Sequence, residues 1–418
     1  MLWSKILAGF ASMVACVEAA KDLGTVLRNH PKLTSYYKLI QKYPEILMQL
    51  PSYKGVTVHL SHNIFSPAFA NSRQIVAPSD YAFTQIPYSA LSKIWNPEHK
   101  NTTVPLLQYH ILQGTINTDD LKAGPAYVKP TLLKDPTWAN VTNGQNILIT
   151  KQPDVVVFST RLGSRATVVN NDIEFEGGLI QIVDSVLVPP SGIGQALTAS
   201  QVQSFLGGLY DSKIMPALDE VKDITVFAPR DQAMEAIGGT LAKMSLSQLA
   251  EVMGYHIVRG KVLVSTDLRN AKSLKTISQG KRLQIRQIGN EMFVNSAKII
   301  STDILISNGI LHIITNVNNP DDADAVPNPN LWAQTPVFRN SHVDNVFQTA
   351  IPCTTLCITD LHMTPKATAT KENVDAAAMT PDSMFTTRSK GVAPARATAH
   401  VARAALGMMG IGAGMALL

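Results

Sequence analysis

The sequence is poor in the residues and motifs that common scaffolds and catalytic sites require. Three cysteines in 418 residues are too few for a disulfide-rich scaffold. There is no C-x-x-C motif, and the ten histidines show no spacing typical of metal ligands. The G-x-S-x-G, H-E-x-x-H and P-loop motifs are missing too. We therefore predict that the protein is not an enzyme, and we expect no metal and no cofactor.

The charge is nearly balanced and spread along the chain. Lys and Arg number 36 against 31 Asp and Glu, which gives a net charge of +5. The basic residues form no run that could follow a phosphate backbone, so we predict no nucleic-acid partner. A hydrophobic content of 45% is ordinary for proteins with packed cores, and the length allows two or three domains.

Three short signatures occur twice along the chain, in the same order. They cover residues 74–83, 106–114 and 177–190 in the first copy, and 224–234, 252–260 and 308–320 in the second. The first is a strand followed by Ala-Pro and Asp, the second contains Tyr-His, and the third is a glycine-led hydrophobic run ending in Pro. Such an internal repeat predicts two tandem modules.

The first signature combines a strand, a sharp turn and the start of a helix. In the second copy Val226 and Phe227 favour a strand, and Pro229 ends it because proline cannot donate to a sheet ladder. Asp231 then stands at a favourable helix N-cap position. Asp80 occupies the same place in the first copy. We predict that Asp80 and Asp231 cap the helices that they begin.

The order of the three signatures resembles that of the fasciclin domain, and the resemblance covers roughly residues 22–320. It implies an α+β fold of two tandem domains, each a β-sandwich-like wedge with helices packed on one side. We place domain 1 at 20–190 and domain 2 at 191–320. Function by surface contact, as in adhesion proteins, is also implied by the resemblance.

Two paired elements in each copy are candidates for an adhesion surface, as the resemblance implies. The candidate residues are Tyr109, His110, Asp172, Ile173, Tyr255, His256, Asp303 and Ile304. For the Tyr-His pairs the alternative is a buried histidine hydrogen-bonded to the backbone. For the Asp-Ile pairs, which resemble a receptor-binding element of the family, the alternative is an ordinary strand-entry turn. The family's usual Asp in the closing signature is Asp184 in copy one, but Thr315 in copy two, which puts a role for that carboxylate in doubt.

The N-terminus has the pattern of a secretory signal peptide. Lys5 is followed by an apolar run over residues 6–17 and a small-residue cleavage pattern at 17–19. We predict a signal peptide over 1–19 and entry into the secretory pathway. A buried N-terminal helix is the alternative.

Residues 59–74 form an apparent insertion in the first signature of copy one. Gly55–Val58 already resembles the start of the boxed strand, and Ile75–Pro78 resembles its end. We expect a bulging loop or, as a hypothesis motivated by its mid-strand position, a retained intron in the gene sequence. A transcript that encodes residues 59–74 would contradict the intron hypothesis.

Several modification sites are predicted. Asn101 and Asn140 stand in glycosylation sequons, which places both on exposed loops. In an oxidising compartment Cys353 and Cys357 could pair with each other or with another chain. Gly391 is a candidate attachment site for a glycolipid anchor.

The C-terminal part differs in composition from the two copies. Residues 321–403 are rich in Thr, Ala and Pro, and we predict a disordered stalk. Residues 404–418 are apolar and short for a membrane-spanning helix. They suit a glycolipid-anchor signal, with a frayed tail as the alternative.

Two functions remain open from the sequence. The first is an extracellular adhesion, matrix or cell-wall protein that binds cell-surface or matrix proteins or glycans, with a glycolipid tether to the membrane. Two linked domains would raise its avidity. The second is a luminal or vacuolar protein that holds a small apolar or carbohydrate ligand.

Overall fold

The computed structural model describes residues 21–50, 72–92, 94–162, 164–269, 271–331 and 333–352. Several predictions fall outside these residues: the signal peptide at 1–19, the strand at 55–58, the cysteines Cys353 and Cys357, the anchor site Gly391 and the tail 404–418. Domain 1 denotes the described residues of 21–190, and domain 2 denotes those of 191–352.

Domain 1 begins with helices and continues with the strands of a sheet, and two more helices lie between its first and second strands. Its helices are α1 (Leu23–Asn29), α2 (Thr34–Lys42), α3 (Asp80–Thr84) and α4 (Lys100–Tyr109), with short 3-10 helices at Pro44–Gln49, Ile86–Tyr88 and Thr118–Asp120. Its strands are β1 (Arg73–Pro78), β2 (Ile111–Gln113), β3 (Ala126–Pro130), β4 (Asn146–Lys151), β5 (Val156–Ser159), β6 (Arg165–Phe175) and β7 (Gly178–Val183).

The seven strands of domain 1 form one strongly curved sheet. Their order is β2-β1-β7-β6-β5-β4-β3, with β1 and β7 parallel. A bridge between Leu112 and Thr131 brings the two outer edges together. The sheet therefore curls towards a barrel, which protects the edge strands from pairing with other chains.

Domain 2 repeats this plan. Its helices are α5 (Ile193–Ala199), α6 (Gln203–Asp211), α7 (Asp231–Ala236), α8 (Gly238–Leu241), α9 (Leu246–Tyr255) and α10 (Ser265–Leu268), with 3-10 helices at Ala217–Glu220 and Gln348–Ala350. Its strands are β8 (Ile224–Pro229), β9 (Ile257–Arg259), β10 (Ser273–Lys275), β11 (Arg282–Ile288), β12 (Glu291–Val294), β13 (Ala297–Ile306) and β14 (Gly309–Ile314). The strand order is β10-β11-β12-β13-β14-β8-β9. Read from β9 to β10, it corresponds to the order of domain 1 read from β2 to β3. The prediction of two tandem α+β domains is therefore confirmed.

Strand β8 lies between β14 and β9 in the sheet of domain 2 and separates two cores. Successive side chains of a strand point to opposite faces. Ile224, Val226 and Ala228 therefore pack with the helices, whereas Phe227 packs inside the curved sheet. Burial on both faces explains why five of its six residues are apolar. The sixth, Thr225, is buried too and donates its hydroxyl to the Lys261 carbonyl at 2.8 Å.

Strand β1 corrects the predicted extent of the insertion. Arg73 pairs with Gln113 and Gln74 pairs with Leu112, so both belong to the sheet. The strand has six residues, Arg73–Pro78, as β8 has in domain 2. Residues 73 and 74 are thus part of a full-length strand and not of the insertion predicted at 59–74.

The segment after residue 320 differs from the disordered stalk that we predicted to start at 321. The Ser341 N–H donates to the carbonyl of Ala236 (3.0 Å), and the Val343 N–H donates to that of Glu235 (2.9 Å). Val346 and Ile351 are each only 5% exposed and lie in the helix-side core. Up to residue 352 the chain is therefore part of domain 2. Its few apolar residues follow no regular period, which is why the sequence pattern did not indicate packing.

Candidate functional site

Asp80 and Asp231 cap helices, but not the helices that they begin. The carboxylate of Asp80 accepts from the N–H groups of Ser35 (2.6 Å) and Thr34 (3.2 Å) at the start of α2. That of Asp231 accepts from the Ser204 N–H (2.7 Å) at the start of α6. The N-cap residues of α2 and α6 supply no side-chain acceptor, so the aspartates satisfy these N–H groups from a neighbouring element.

The prediction for Asp80 and Asp231 is therefore wrong in its partner helix. The residues before them, Ser79 and Arg230, are the N-caps of α3 and α7. The Asp side chains point away to the preceding helix of the same domain. Each aspartate thus ties the strand–helix signature to the helices that precede it.

We expect Asp231→Ala to lower the free energy of unfolding by about 1–2 kcal/mol, because it leaves N–H groups of α6 without an acceptor. Asp231→Asn should stay within about 0.5 kcal/mol of the natural chain. Its amide oxygen can still accept, and burial, which raises the pKa of the Asp231 carboxyl, shows that the charge itself is costly there. Urea unfolding of both variants checks this expectation. Equal losses for Ala and Asn would contradict it.

The histidines of both Tyr-His pairs lie in the interior and bridge two backbone segments. Nδ1 of His110 is 2.7 Å from the Leu106 carbonyl, and its Nε2 accepts from the Leu187 N–H at 3.0 Å. His256 makes the same two bonds, to the Val252 carbonyl (2.8 Å) and from the Asn318 N–H (2.9 Å). These partners assign the proton to Nδ1 and leave Nε2 as the acceptor.

Burial lowers the pKa of both imidazoles to about 4, from an ordinary value of 6.5. The rings therefore stay neutral at neutral pH and join the end of α4 or α9 to the chain that follows β7 or β14. The adjoining tyrosines are equally buried. Tyr109 donates to the Asn146 carbonyl (3.0 Å), and Tyr255 donates to that of Arg282 (2.7 Å).

The two Asp-Ile pairs occupy bulges in β6 and β13. Asp172 and Asp303 have left-handed backbone conformations, with φ of 51° and 63°. The Asp172 carboxylate accepts from the Thr118 N–H (3.2 Å), and that of Asp303 accepts from the Ser265 N–H (2.7 Å). Each carboxylate thus holds the short helical turn that follows β2 or β9.

All eight candidates for the adhesion surface therefore have internal roles in the folded chain. Ile173 and Ile304 complete the set, since both pack into the cores beneath their sheets. The structure corresponds to the alternative that we weighed for the Tyr-His pairs. Asp172 and Ile173 are half-buried and the other six are buried, and an adhesive role for these residues stays a prediction.

Asp184 and Thr315 perform the same structural task. Asp184 Oδ1 accepts from the Thr167 N–H at 2.8 Å, and Thr315 Oγ1 accepts from the Lys298 N–H at 3.0 Å. One acceptor oxygen is enough at this position. The loss of the carboxylate in domain 2 is therefore compensated by the hydroxyl group.

The two sequons lie in different surroundings from those expected. Asn101 is exposed, but it belongs to the first turn of α4 and not to a loop. Asn140 lies in a loop, but this loop contacts domain 2: its N–H donates to the Ser307 carbonyl (2.7 Å) and its Nδ2 to that of Glu220 (3.0 Å). The third sequon residue, Thr142, donates its N–H to Asp223 at 2.9 Å.

An apolar cluster extends this contact between the two domains. Leu148 of β4 packs with Val264, Leu305 and Ile310 of domain 2, all of them buried. Beside the cluster, Gln145 Nε2 donates to the Ile306 (3.2 Å) and Ser307 (3.1 Å) carbonyls. The domains are thus docked by both apolar packing and directed hydrogen bonds, which opposes the independent movement usual for linked domains.

A groove of about 650 Å³ lies on this two-domain body and is lined by both domains. Domain 1 contributes α3 together with Arg161, Leu162, Ser164 and Arg165, and domain 2 contributes α5. The Arg161 guanidinium donates to Gln195 Oε1 across the boundary at 3.5 Å. Tyr81 and Tyr88 stand at the groove with 62% and 87% of their surface exposed.

We consider this groove the candidate binding site. Sequence reasoning missed its residues because they belong to none of the repeated signatures. One signal was available: copy one has the aromatic Tyr81 where copy two has Gln232. Among the described residues, no group of three or more His, Cys, Asp or Glu side chains is placed to hold a metal ion. None of the helices within these residues has the length and apolar character needed to cross a membrane.

The fold and the repeated signatures define a tandem fasciclin-domain protein. The family model for the fasciclin domain matches residues 31–189 and 200–320, and the chain belongs to this family.

Proteins of similar sequence include a fasciclin-like arabinogalactan protein of Arthroderma benhamiae. It is 28% identical over 78% of this chain and 73% of the relative. The fasciclin-like arabinogalactan protein elcF of Phaeosphaeria nodorum is 24% identical over 74% of this chain and 91% of the relative. Among solved structures, a FAS1 domain pair from the insect cell adhesion molecule fasciclin I covers 70% of this chain and 98% of its own, with 18% identity and a TM-score of 0.31.

Proposed function

We propose that the chain is an extracellular or cell-wall protein that binds surface or matrix components through its folded surface and catalyses no reaction. The observation that carries this proposal is the docked domain pair with a groove lined by both domains. A fixed pair presents two surfaces in one geometry, which favours binding because little orientational freedom is lost on contact.

The internal roles of the motif side chains support the same proposal. The Tyr-His pairs and the aspartates of the signatures are used to join elements of the fold, and none of them is left to act on a substrate. Similarity to fasciclin-like arabinogalactan proteins supports a place at the cell surface or wall. The predicted signal peptide at 1–19 agrees with that location.

The partners that we propose are cell-surface or matrix proteins or glycans. The same proposal includes three modifications: a glycolipid tether at Gly391, a Cys353–Cys357 disulfide and a glycan on the exposed Asn101. The luminal alternative requires an enclosed apolar pocket for a small ligand. The groove instead is open and carries Arg and Gln side chains, so it does not favour that alternative.

We expect the full chain, tagged after Ala20, to reach the medium or the outer cell surface when it is expressed in a secreting cell. Cell fractionation and treatment with a phospholipase specific for glycolipid anchors measure this location. Release by the enzyme would indicate the tether. A variant without residues 2–19 is the matched control and should remain inside the cell. Retention of the full chain inside the cell would overturn the extracellular proposal.

Surface binding needs its own assay. Beads coated with the purified full chain should bind cells or wall fragments more strongly than beads coated with the heat-denatured chain, because the proposed surface exists only in the fold. Equal binding by the two kinds of bead would contradict a role for the folded surface.

A further inference from the structure

The hollow beside the first signature's helix occurs in both domains and is built from equivalent positions. In domain 1 it is lined by Tyr81, Ala82, Gln85, Asp184, Ser185 and Val186. In domain 2 it is lined by Gln232, Ala233, Ala236, Thr315, Asn316 and Val317. Both sets stand at the same places relative to β1–α3 and β8–α7, and relative to the ends of β7 and β14.

In domain 2 a peptide segment of the chain itself covers this hollow. Its lining also includes Ala333, Gln334, Pro336 and Val337, and the hollow measures about 200 Å³. The Asn316 Nδ2 donates to the Gln334 carbonyl at 2.9 Å. Downstream, Phe338 packs against the helix-side core. The hollow of domain 2 thus holds a short, uncharged, proline-containing segment.

In domain 1 the other side of the groove is formed by the start of domain 2, with Ser191, Gln195 and Ala199, and the groove measures about 650 Å³. Ser185, which replaces Asn316, keeps a side chain that can donate a hydrogen bond. The rim differs in charge, because Arg161 and Arg165 stand at the groove. The Asp184 carboxylate, also at the groove, accepts from the Thr167 N–H. The aromatic face of Tyr81 is exposed beside it.

We propose that the domain 1 groove binds an extended, proline-containing and acidic peptide segment of a partner protein. The covered hollow of domain 2 shows that this corner of the fold accommodates such a backbone. Exposed tyrosine rings suit proline, whose extended conformation is preformed and loses little entropy on binding. The two arginines complement acidic side chains in the partner. This inference rests on the proposed function and specifies its partner and its site.

The test uses the full chain and a fluorescein-labelled peptide, Glu-Glu-Ala-Gln-Thr-Pro-Val-Phe, which joins two acidic residues to the sequence of residues 333–338. Fluorescence anisotropy measures its dissociation constant. We expect saturable binding that Arg165→Glu weakens at least about tenfold, because the arginine's attraction becomes repulsion. Arg259→Glu, at an exposed arginine of β9 outside the groove, is the matched control and should change binding less than about twofold.

Two further changes address the shape of the site. Ala199→Trp fills the groove from α5, where Ala199 is exposed, and should abolish binding without any change in charge. A peptide with glycine in place of proline should bind more weakly, because its free form is less extended. Circular dichroism of each variant verifies that it is folded, and either Arg165→Glu or Ala199→Trp suffices to test the site.

Three outcomes would overturn the proposal. The first is no saturable binding of the peptide, and the second is equal binding by Arg165→Glu, Ala199→Trp and the natural chain. The third is binding of an acidic polysaccharide such as polygalacturonate that depends on Arg165, without binding of the peptide, which would assign the groove to a glycan. Each of these leaves the extracellular location untouched. Intracellular retention, in contrast, would refute the proposed function whatever the peptide does.

Discussion

Lowering the pH from 7 to 4 should destabilise each domain by about 3 kcal/mol, because each contains one buried, neutral histidine at the same structural position. The pKa of His110 and of His256 is about 4 in the folded chain, against an ordinary value of 6.5. Each tenfold difference in proton affinity corresponds to about 1.4 kcal/mol. His312 acts in the same direction in domain 2, since burial lowers its pKa against the opposing influence of Asp303.

The sign follows from proton binding. Between pH 6.5 and pH 4 the unfolded chain binds a proton at each of these histidines and the folded chain does not, so stability falls as the pH falls. Above about pH 6.5 the neutral histidines make their full contribution to the free energy of unfolding, and near pH 4 this contribution is lost. A loss of this size is a large fraction of the 5–15 kcal/mol typical of a folded protein.

Urea unfolding at pH 7.5, 5.5 and 4.0 measures the effect. The variant His256→Gln should be less stable than the natural chain at pH 7.5, because its amide reproduces the two hydrogen bonds imperfectly. Its domain 2 should then lose clearly less stability on acidification, since this site no longer titrates. His99→Gln, at an exposed histidine, should leave the pH dependence unchanged. Parallel pH profiles for His256→Gln and the natural chain would refute the assignment.

Gly309→Ala should cost domain 2 about 3 kcal/mol or more. A Cβ atom at this position would lie 1.9 Å from the carbonyl oxygen of Ile224, a contact that no side-chain rotation can relieve. Gly309 pairs directly with Ile224 in the parallel ladder between β14 and β8. The clash can be removed only if the two buried strands β8 and β14 move apart. Overpacking of this kind costs about 1–3 kcal/mol even where neighbours can adjust.

Gly178 provides an independent copy of the experiment in domain 1. A Cβ atom there would lie 1.8 Å from the Arg73 carbonyl oxygen. Gly178→Ala should therefore destabilise domain 1 as Gly309→Ala destabilises domain 2.

Gly192→Ala is the matched control: its nearest neighbour would be Asp219 Oδ1 at 3.9 Å, and its φ of −60° suits alanine. It should cost less than about 1 kcal/mol. Urea unfolding measures the free energy of unfolding of each variant. A loss of stability for Gly309→Ala no larger than that for Gly192→Ala would refute the argument.

The close approach at Gly178 and Gly309 also explains why the closing signature begins with glycine. The sequence showed the glycine in both copies, and the resemblance placed it before a strand. Glycine is required because the backbone of the neighbouring parallel strand, about 85 to 105 residues earlier in the chain, leaves no room for a side chain. Only the sheet order brings these two segments together.

Sequence reasoning succeeded where a signal is local. The strand–turn–helix of the first signature follows from alternating apolar side chains and from Pro229, all within one short run. The repeat itself is a property of the sequence, and so is the family. Local signals were less informative about partners: Asp231 is a good capping residue, but the helix that it caps is α6, whose Ser204 lies 27 residues earlier.

The sequence by itself determined the two tandem α+β domains, the order of their signatures and the absence of familiar catalytic motifs, because these depend on residue types and on short-range periodicity. Tertiary structure alone decided which polar side chains are available to a partner. His110 is buried, and its ring nitrogen accepts from the N–H of Leu187, 77 residues away. Asn140 lies at the domain contact, where its side-chain amide donates to the carbonyl of Glu220, 80 residues away. Such partners leave no local pattern, since their hydrogen bonds form only after the chain has folded.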